Sequence, residues 1–137
     1  MPDRGGGYLL RAGAGVGGDS GLKASAASSG GSLTVIDSDT DGGAPPHTHT
    51  REDEAMYVLA GSIIVHVGDE EFHAGEGDFV FMPRGVQHDW DVDDASARVL
   101  IIAAPGGLDR FLEEFHAAGD WAARDAVAER FGLTFPR

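Results

Sequence analysis

The chain has 137 residues, with 10 Lys and Arg against 23 Asp and Glu, a formal charge of −13, 21 Gly and no Cys. That length implies one domain with a real core, burying roughly two-thirds of the surface its unfolded chain exposes. The charge argues against nucleic-acid and anionic-membrane partners, and the missing Cys removes disulfides, thiolate catalysis and Cys-ligated metal clusters.

Residues 1–29 are a segment rich in glycine, alanine and serine: 17 of the 21 positions from Ala12 to Ser32 are one of the three. Leu22-Lys23-Ala24, and then Leu33-Thr34-Val35-Ile36, read as weak edge strands in or just after it. Asp37 to Pro46 reads as turn-rich, with Gly and acidic breakers before Pro45-Pro46. No apolar stretch of signal-peptide length follows Met1-Pro2-Asp3-Arg4, so a soluble cytoplasmic protein is expected. The longest apolar run, near Val99–Pro105, is far short of the about 20 residues of a membrane span.

Short runs rich in Val, Ile and Phe then alternate with Gly. They are Ala55–Ala60, Ser62–Val67, Glu71–Ala74, Asp78–Met82, Val86–Val92 and Ala97–Ala104. Several short strands with turn signals every 8–12 residues indicate an antiparallel sandwich or barrel. Beyond Pro105 the period changes. Leu108, Phe111, Leu112 and Phe115 fall at i, i+3, i+4 and i+7, one apolar face of a helix. Gly119 breaks it, Asp120 can cap a second helix from Trp121 to about Phe131, and Gly132 stops that helix.

Six histidines are present: His47, His49, His66, His73, His88 and His116. His47 and His49 lie two apart, which in an extended chain puts both on one face. Glu54 follows at the entry to the next strand, and His88 comes just after a Pro-x-Gly turn. Three imidazoles and one carboxylate can thus converge inside a barrel, a donor set that suits Zn, Cu, Fe or Ni.

The wider frame narrows this. It reads Pro46-His47-Thr48-His49, then Glu54 and Gly61; after fifteen residues come Gly77, Pro83-Arg84-Gly85 and His88. This resembles the two-part pattern of the cupin superfamily. Asp41 and Val92 stand where that pattern has Gly and Asn. The tail from Pro105-Gly106-Gly107-Leu108 is similar to that of small bacterial single-domain cupins, described as quercetin-dioxygenase-like. The resemblance implies an all-β fold: a double-stranded β-helix, or jelly-roll cupin barrel, over residues 30–105, with a short C-terminal helical tail over 106–137. It implies His47, His49, Glu54 and His88 as ligands to one divalent transition metal ion: Fe, Mn, Ni, Cu, Co or Zn. It also implies a homodimer, for which an exposed Ile64 would serve.

Strand alternation puts Met56 and Val58 on the face of Glu54, and Trp90 on that of His88. Met56, Phe81 and Trp90 are expected to wall a substrate pocket. Ile63, Val65 and Val67 are expected inside, with His66 and His73 on the opposite faces and His116 solvated. Glu52 and Asp53 are expected to face solvent near the mouth. The leading expectation is a mononuclear dioxygenase acting on a small aromatic or enol-bearing substrate, with Glu54 as a general base tuned upward by desolvation. The alternatives are a non-redox isomerase, cyclase or lyase, and a metal- or small-molecule-binding protein without turnover.

Overall fold

Alternation of buried and exposed side chains builds most of the strands. The computed structural model describes residues 6–136. In chain order they form β1 (Leu22–Ala24), β2 (Thr34–Thr40), β3 (Ala44–His49), β4 (Asp53–Ala60), β5 (Ser62–Val67) and β6 (Glu70–Gly75). Next come β7 (Phe79–Met82), β8 (His88–Val92), β9 (Ala97–Ala104), α1 (Leu108–Ala117), α2 (Trp121–Phe131) and β10 (Leu133–Thr134). Two five-stranded antiparallel sheets result, in the orders β1-β2-β9-β4-β7 and β10-β3-β8-β5-β6. They face each other as a jelly-roll sandwich with two short C-terminal helices, so the all-β expectation holds. No helix among the described residues is long and apolar enough to cross a membrane.

The core between the sheets is Met56, Val58, Ile63, Val65, Val67, Val80, Met82, Trp90 and Val99 with small residues between them. Ile63, Val65 and Val67 point in, as alternation predicts. A second cluster joins Ala103 and Leu133 to Leu108 and Phe111 of α1 and to Val127 and Ala128 of α2. Gly61 makes the β4–β5 turn at φ 76°. A Cβ there would stand 2.6 Å from the Ser96 carbonyl oxygen, so only glycine fits on both counts.

The segment expected to be turn-rich is mostly strand. Asp37–Thr40 continue β2, paired residue for residue with Leu100 down to Ala97. The acidic residues are tolerated because Asp37 is held by Arg98 at 2.6 and 2.9 Å, and every second position faces outward. Pro45 and Pro46 lie inside β3, where the β3–β8 register slips between Ala44↔Trp90 and His47↔His88. Two residues there oppose one, a bulge that asks for no N–H at the prolines. β10 was not anticipated. The helices are anchored by Asp109, whose Oδ1 accepts from Thr34 Oγ1 at 2.7 Å and from Ala26 N at 3.2 Å.

The second helix begins as its sequence predicts. Asp120 accepts a hydrogen bond from Ala123 N at 2.8 Å, and Gly132 ends the helix in the left-handed conformation. Asp120→Ala should therefore cost about 1 kcal/mol in urea unfolding, the usual worth of such a cap. An unchanged midpoint would mean that α2 contributes nothing to the cooperative unit.

Candidate metal centre

The bulge at Pro45-Pro46 sets the register that makes His47 and His88 direct cross-strand partners. His49 follows on the same face of β3. The opposite sheet supplies Glu54 from β4, where it pairs with Met82 and Ala103. All four side chains are buried, at 7, 2, 6 and 2% exposure for His47, His49, Glu54 and His88. One donor atom from each lies within 4.8 Å of the other three.

Every imidazole is aimed the same way. His47 Nδ1 donates to the Pro45 carbonyl at 2.6 Å. His49 Nδ1 donates to Glu52 Oε1 at 2.6 Å, and His88 Nδ1 lies 3.4 Å from the Val86 carbonyl. An outward Nδ1–H fixes the tautomer and leaves each Nε2 lone pair pointing in. His47 Nε2 and His49 Nε2 stand 3.1 Å apart, and Glu54 Oε1 is 3.1 Å from His49 Nε2 and 3.4 Å from His88 Nε2.

These spacings test the fit of an ion. Donors bonded at about 2.1 Å to one metal stand about 3 Å apart at right angles. Glu54 Oε1 and His88 Nε2 are buried and have no hydrogen-bond partner. Two orphaned acceptors at one point cost free energy that a cation would recover. The four residues therefore fit a transition metal ion, and nothing in a three-imidazole, one-carboxylate set selects among Fe, Mn, Ni, Cu, Co and Zn.

Electrostatics departs from expectation at Glu54. Burial alone would raise its carboxyl, but the His49 and His88 imidazoles outweigh burial and hold it down at about 2. Glu54 is thus tuned downward, not upward. Burial pushes His47 down to about 4, against the raising effect of its bond to Pro45. Burial also pulls on His49, yet its bond to Glu52 and the negative charge of Glu54 close by win and raise it from 6.5 to about 9.

A pH dependence follows. Without metal, His49 is protonated at neutral pH, and a metal must displace that proton. Between pH 6 and 8 one proton should leave per ion bound, and apparent affinity should rise about tenfold per pH unit. The metal-free fold behaves oppositely: a raised pKa contributes stability that is full below 6.5 and lost as pH climbs through about 9. Calorimetric titration in buffers of different ionisation enthalpy reads the proton count; a count of zero contradicts the cationic His49.

Three other expected positions resolve differently. Met56 is fully buried and Trp90 is 7% exposed, both in the core between the sheets. Phe81 is 52% exposed, on the outside of β7. Val80 and Met82 take the inner face, paired with Met56 and Glu54, so Phe81 lies away from the metal centre. Glu52, expected in solvent, is buried beneath His49. Asp53 does stay outside, against Arg84 at 3.1 Å. His66 sits between Asp89 (2.7 Å) and Glu71 (2.8 Å) on the outer sheet face. His73 is exposed beside Glu71, and His116 is exposed on α1.

The sequence also gave no sign of what the tail does here. β10 pairs Leu133 with His49 and Thr134 with Thr48. Thr50 donates to the Gly132 carbonyl through N at 2.9 Å and Oγ1 at 2.6 Å. The chain then brings the Phe135 ring to 6.0 Å from the His47 ring. Phe135 stacks on Phe115 of α1 at 5.6 Å, giving the centre an aromatic flank built by the helices. Two surface cavities, of about 410 and 490 Å³, lie against the N-terminal segment and outside β3 and β8, and neither is lined by a candidate ligand.

Known proteins match parts of this chain to different degrees. The uncharacterized protein SCO3923 of Streptomyces coelicolor is 30% identical over 73 residues, 53% of this chain and 67% of its own length. Germin-like protein 3-1 of Oryza sativa subsp. japonica is 38% identical over 77 residues, 50% of this chain but only 33% of that protein. Among solved structures, Pac13, a nucleoside dehydratase from Streptomyces, superposes with a TM-score of 0.52 at 20% identity, over 58% of this chain and 65% of its own. The model of the cupin domain matches residues 35–103, half of the chain, from β2 through β9 and across all four candidate ligands. With that span matched, the chain belongs to the cupin family.

Proposed function

We propose that the protein is a metal-dependent oxygenase acting on a small, neutral or weakly acidic, aromatic or enol-bearing compound. The observation that carries the reading is the convergence of three tautomer-fixed Nε2 atoms and the orphaned Glu54 Oε1 on one buried point. The four protein donors would hold such an ion and leave it room for a further ligand from the substrate. A bound metal supplies Lewis acidity toward a substrate oxygen and, when redox-active, a route to dioxygen.

The chain's own residues supply the rest. His47, His49 and His88 would hold the ion with neutral nitrogen. Glu54 would balance its charge, being the carboxylate whose oxygen reaches the centre. Phe135 and Phe115 offer a flat apolar surface for an aromatic ring beside His47. A chain of net charge −13 disfavours highly anionic substrates.

A non-redox reading is the second. The likeness to Pac13, a nucleoside dehydratase, favours it, since the same donors serve a lyase that stabilises an enolate. Oxygen uptake separates the two. Protein loaded anaerobically with Fe(II) and exposed to phenol and 1,3-diketone probes should consume oxygen, and Glu54→Gln should not. Conversion of probes or of uridine without oxygen loss would establish the lyase reading. Binding of probes with no product at all would leave a carrier.

A further inference from the structure

The metal centre sits at one end of the barrel. Glu54 and His88 stand at the start of their strands, His49 ends its own, and Ala103, which pairs with Glu54, is next to last in β9. Two residues further along β4 and β8, toward the other end, lie Met56 and Trp90, in a core where Met56, Val65 and Met82 are fully buried. A close-packed interior of that kind gives no passage to the ligands. The near end is covered by α1, α2 and the segment that follows them.

That last segment is held lightly. β10 makes two residue pairs with β3, Leu133 with His49 and Thr134 with Thr48. The same register carried one residue on sets Phe135 opposite His47, and the two rings lie 6.0 Å apart. His47 is the most exposed of the four ligands, so Phe135 stands over the thinnest part of the cover. Thr134 and Pro136 are exposed, and Phe135 is itself half-buried. Before it in the chain, α2 buries only Val127 and Ala128. Gly132 joins helix to tail at φ 78°, and a Cβ there would stand 2.6 Å from Thr50 Oγ1, the hydroxyl that donates to the Gly132 carbonyl. A two-residue strand anchored by one ring is the kind of segment that opens locally while the barrel stays folded.

We propose that β10 and Phe135 form a gate over the metal centre, hinged at Gly132, and that ions and substrates reach His47 when it opens. The proposal rests on the metal centre described above. Closed, the Phe135 ring packs against both Phe115 and His47. Open, it uncovers the ligands from the His47 side. The gate closes over the empty and the filled centre alike. It therefore scales entry and departure by the same factor, and governs rates without governing affinity.

Zinc release tests this, because it needs no substrate. Protein loaded with Zn(II) is mixed with a coloured pyridylazo chelator and the release rate is followed, with the dissociation constant measured separately. Phe135→Ala should release zinc about tenfold faster, the shift in an opening equilibrium that losing such a ring contact allows, and should keep its dissociation constant. The double variant Thr48→Cys/Thr134→Cys should do the reverse. The two positions are directly opposed across an antiparallel pair, a separation that suits a disulfide, and the chain has no other Cys. Alternation puts Thr48 on the face of β3 away from His47 and His49, so the new sulfurs stay clear of the centre. Oxidised, this variant should release zinc more slowly by about tenfold or more, because the cross-link suppresses the open state. Reduced, it should match the wild type.

A Phe135→Ala rate equal to that of the wild type would overturn the gate. So would a faster rate matched by an equal loss of affinity, which would make Phe135 a support for His47. Should Phe135→Ala fail to fold, the cross-linked variant decides: release at the wild-type rate in its oxidised form overturns the gate. Zinc absent from the wild type at equilibrium is a different result, and would remove the metal centre itself and the gate with it.

Discussion

His88→Ala and Glu54→Ala purified from metal-replete cells should carry less than a tenth of the wild-type metal. Four-ligand structural sites are worth about 10–16 kcal/mol, so the loss of one donor costs on the order of 3 kcal/mol, a hundredfold or more in affinity. The consequence reaches the fold. At a hundredfold excess of metal over its dissociation constant, binding adds about 2.7 kcal/mol to stability. For a chain of this length that is about 8 °C in Tm. Wild-type protein should therefore melt about 8 °C lower after chelation, and the two variants should show no difference with or without chelator. His66→Ala is the control: His66 also lies between two carboxylates, but on the outer face, and its removal should leave metal content unchanged. Full occupancy in both ligand variants would remove the centre.

The reason to expect a large effect is that these side chains are poor residents of a core unless a cation joins them. Glu54 Oε1 and His88 Nε2 are buried without partners, at a boundary between two apolar clusters. Taking away His88 without the metal would relieve one orphan and leave another. Taking it away with the metal present breaks the arrangement that satisfies both. That asymmetry is why stability and metal content should fall together in the wild type and uncouple in the variants.

The ligands were legible because each lies in a local pattern. His47 and His49 sit two apart on one strand, Glu54 opens the next strand, and His88 follows a turn whose glycine is at position 85. The strands were legible for the same reason, from period-two alternation bounded by Gly. The face of β7 was not. Phe79-Val80-Phe81-Met82 is apolar at every position, so alternation yields two equally apolar faces and no means to choose between them. Pairing of Val80 with Met56 and of Met82 with Glu54 made the choice, and that is tertiary information. β10 and Phe135 were hidden for a related reason. Their partners His49, Thr48 and His47 are more than 80 residues away in sequence, and two helices must dock before the tail reaches β3.

Glu52 is the residue whose role the sequence obscured most, and it should matter nearly as much as a ligand. Glu52-Asp53-Glu54 is a run of three acids in which strand alternation would put Glu52 and Glu54 on one face and Asp53 on the other. The run begins in the β3–β4 loop, however, before the strand period applies, and Glu52 folds back under His49. Glu52→Ala should weaken metal binding by about 10–100-fold without altering the four ligands, the usual cost of losing the partner that orients a metal-bound imidazole. Glu52 is a positioning residue, so its test needs a readout that packing alone would not move. In the metal-free wild type its bond helps to raise His49 to about 9. In Glu52→Gln that support loses its charge, the His49 pKa falls, and proton release on metal binding should fade at a lower pH than in the wild type. Glu52→Gln should also keep more affinity than Glu52→Ala, because an amide oxygen still accepts from Nδ1–H. If both variants shift affinity equally and leave the pH profile of proton release in place, Glu52 only fills space beneath His49, and the imidazole is oriented by β3 alone.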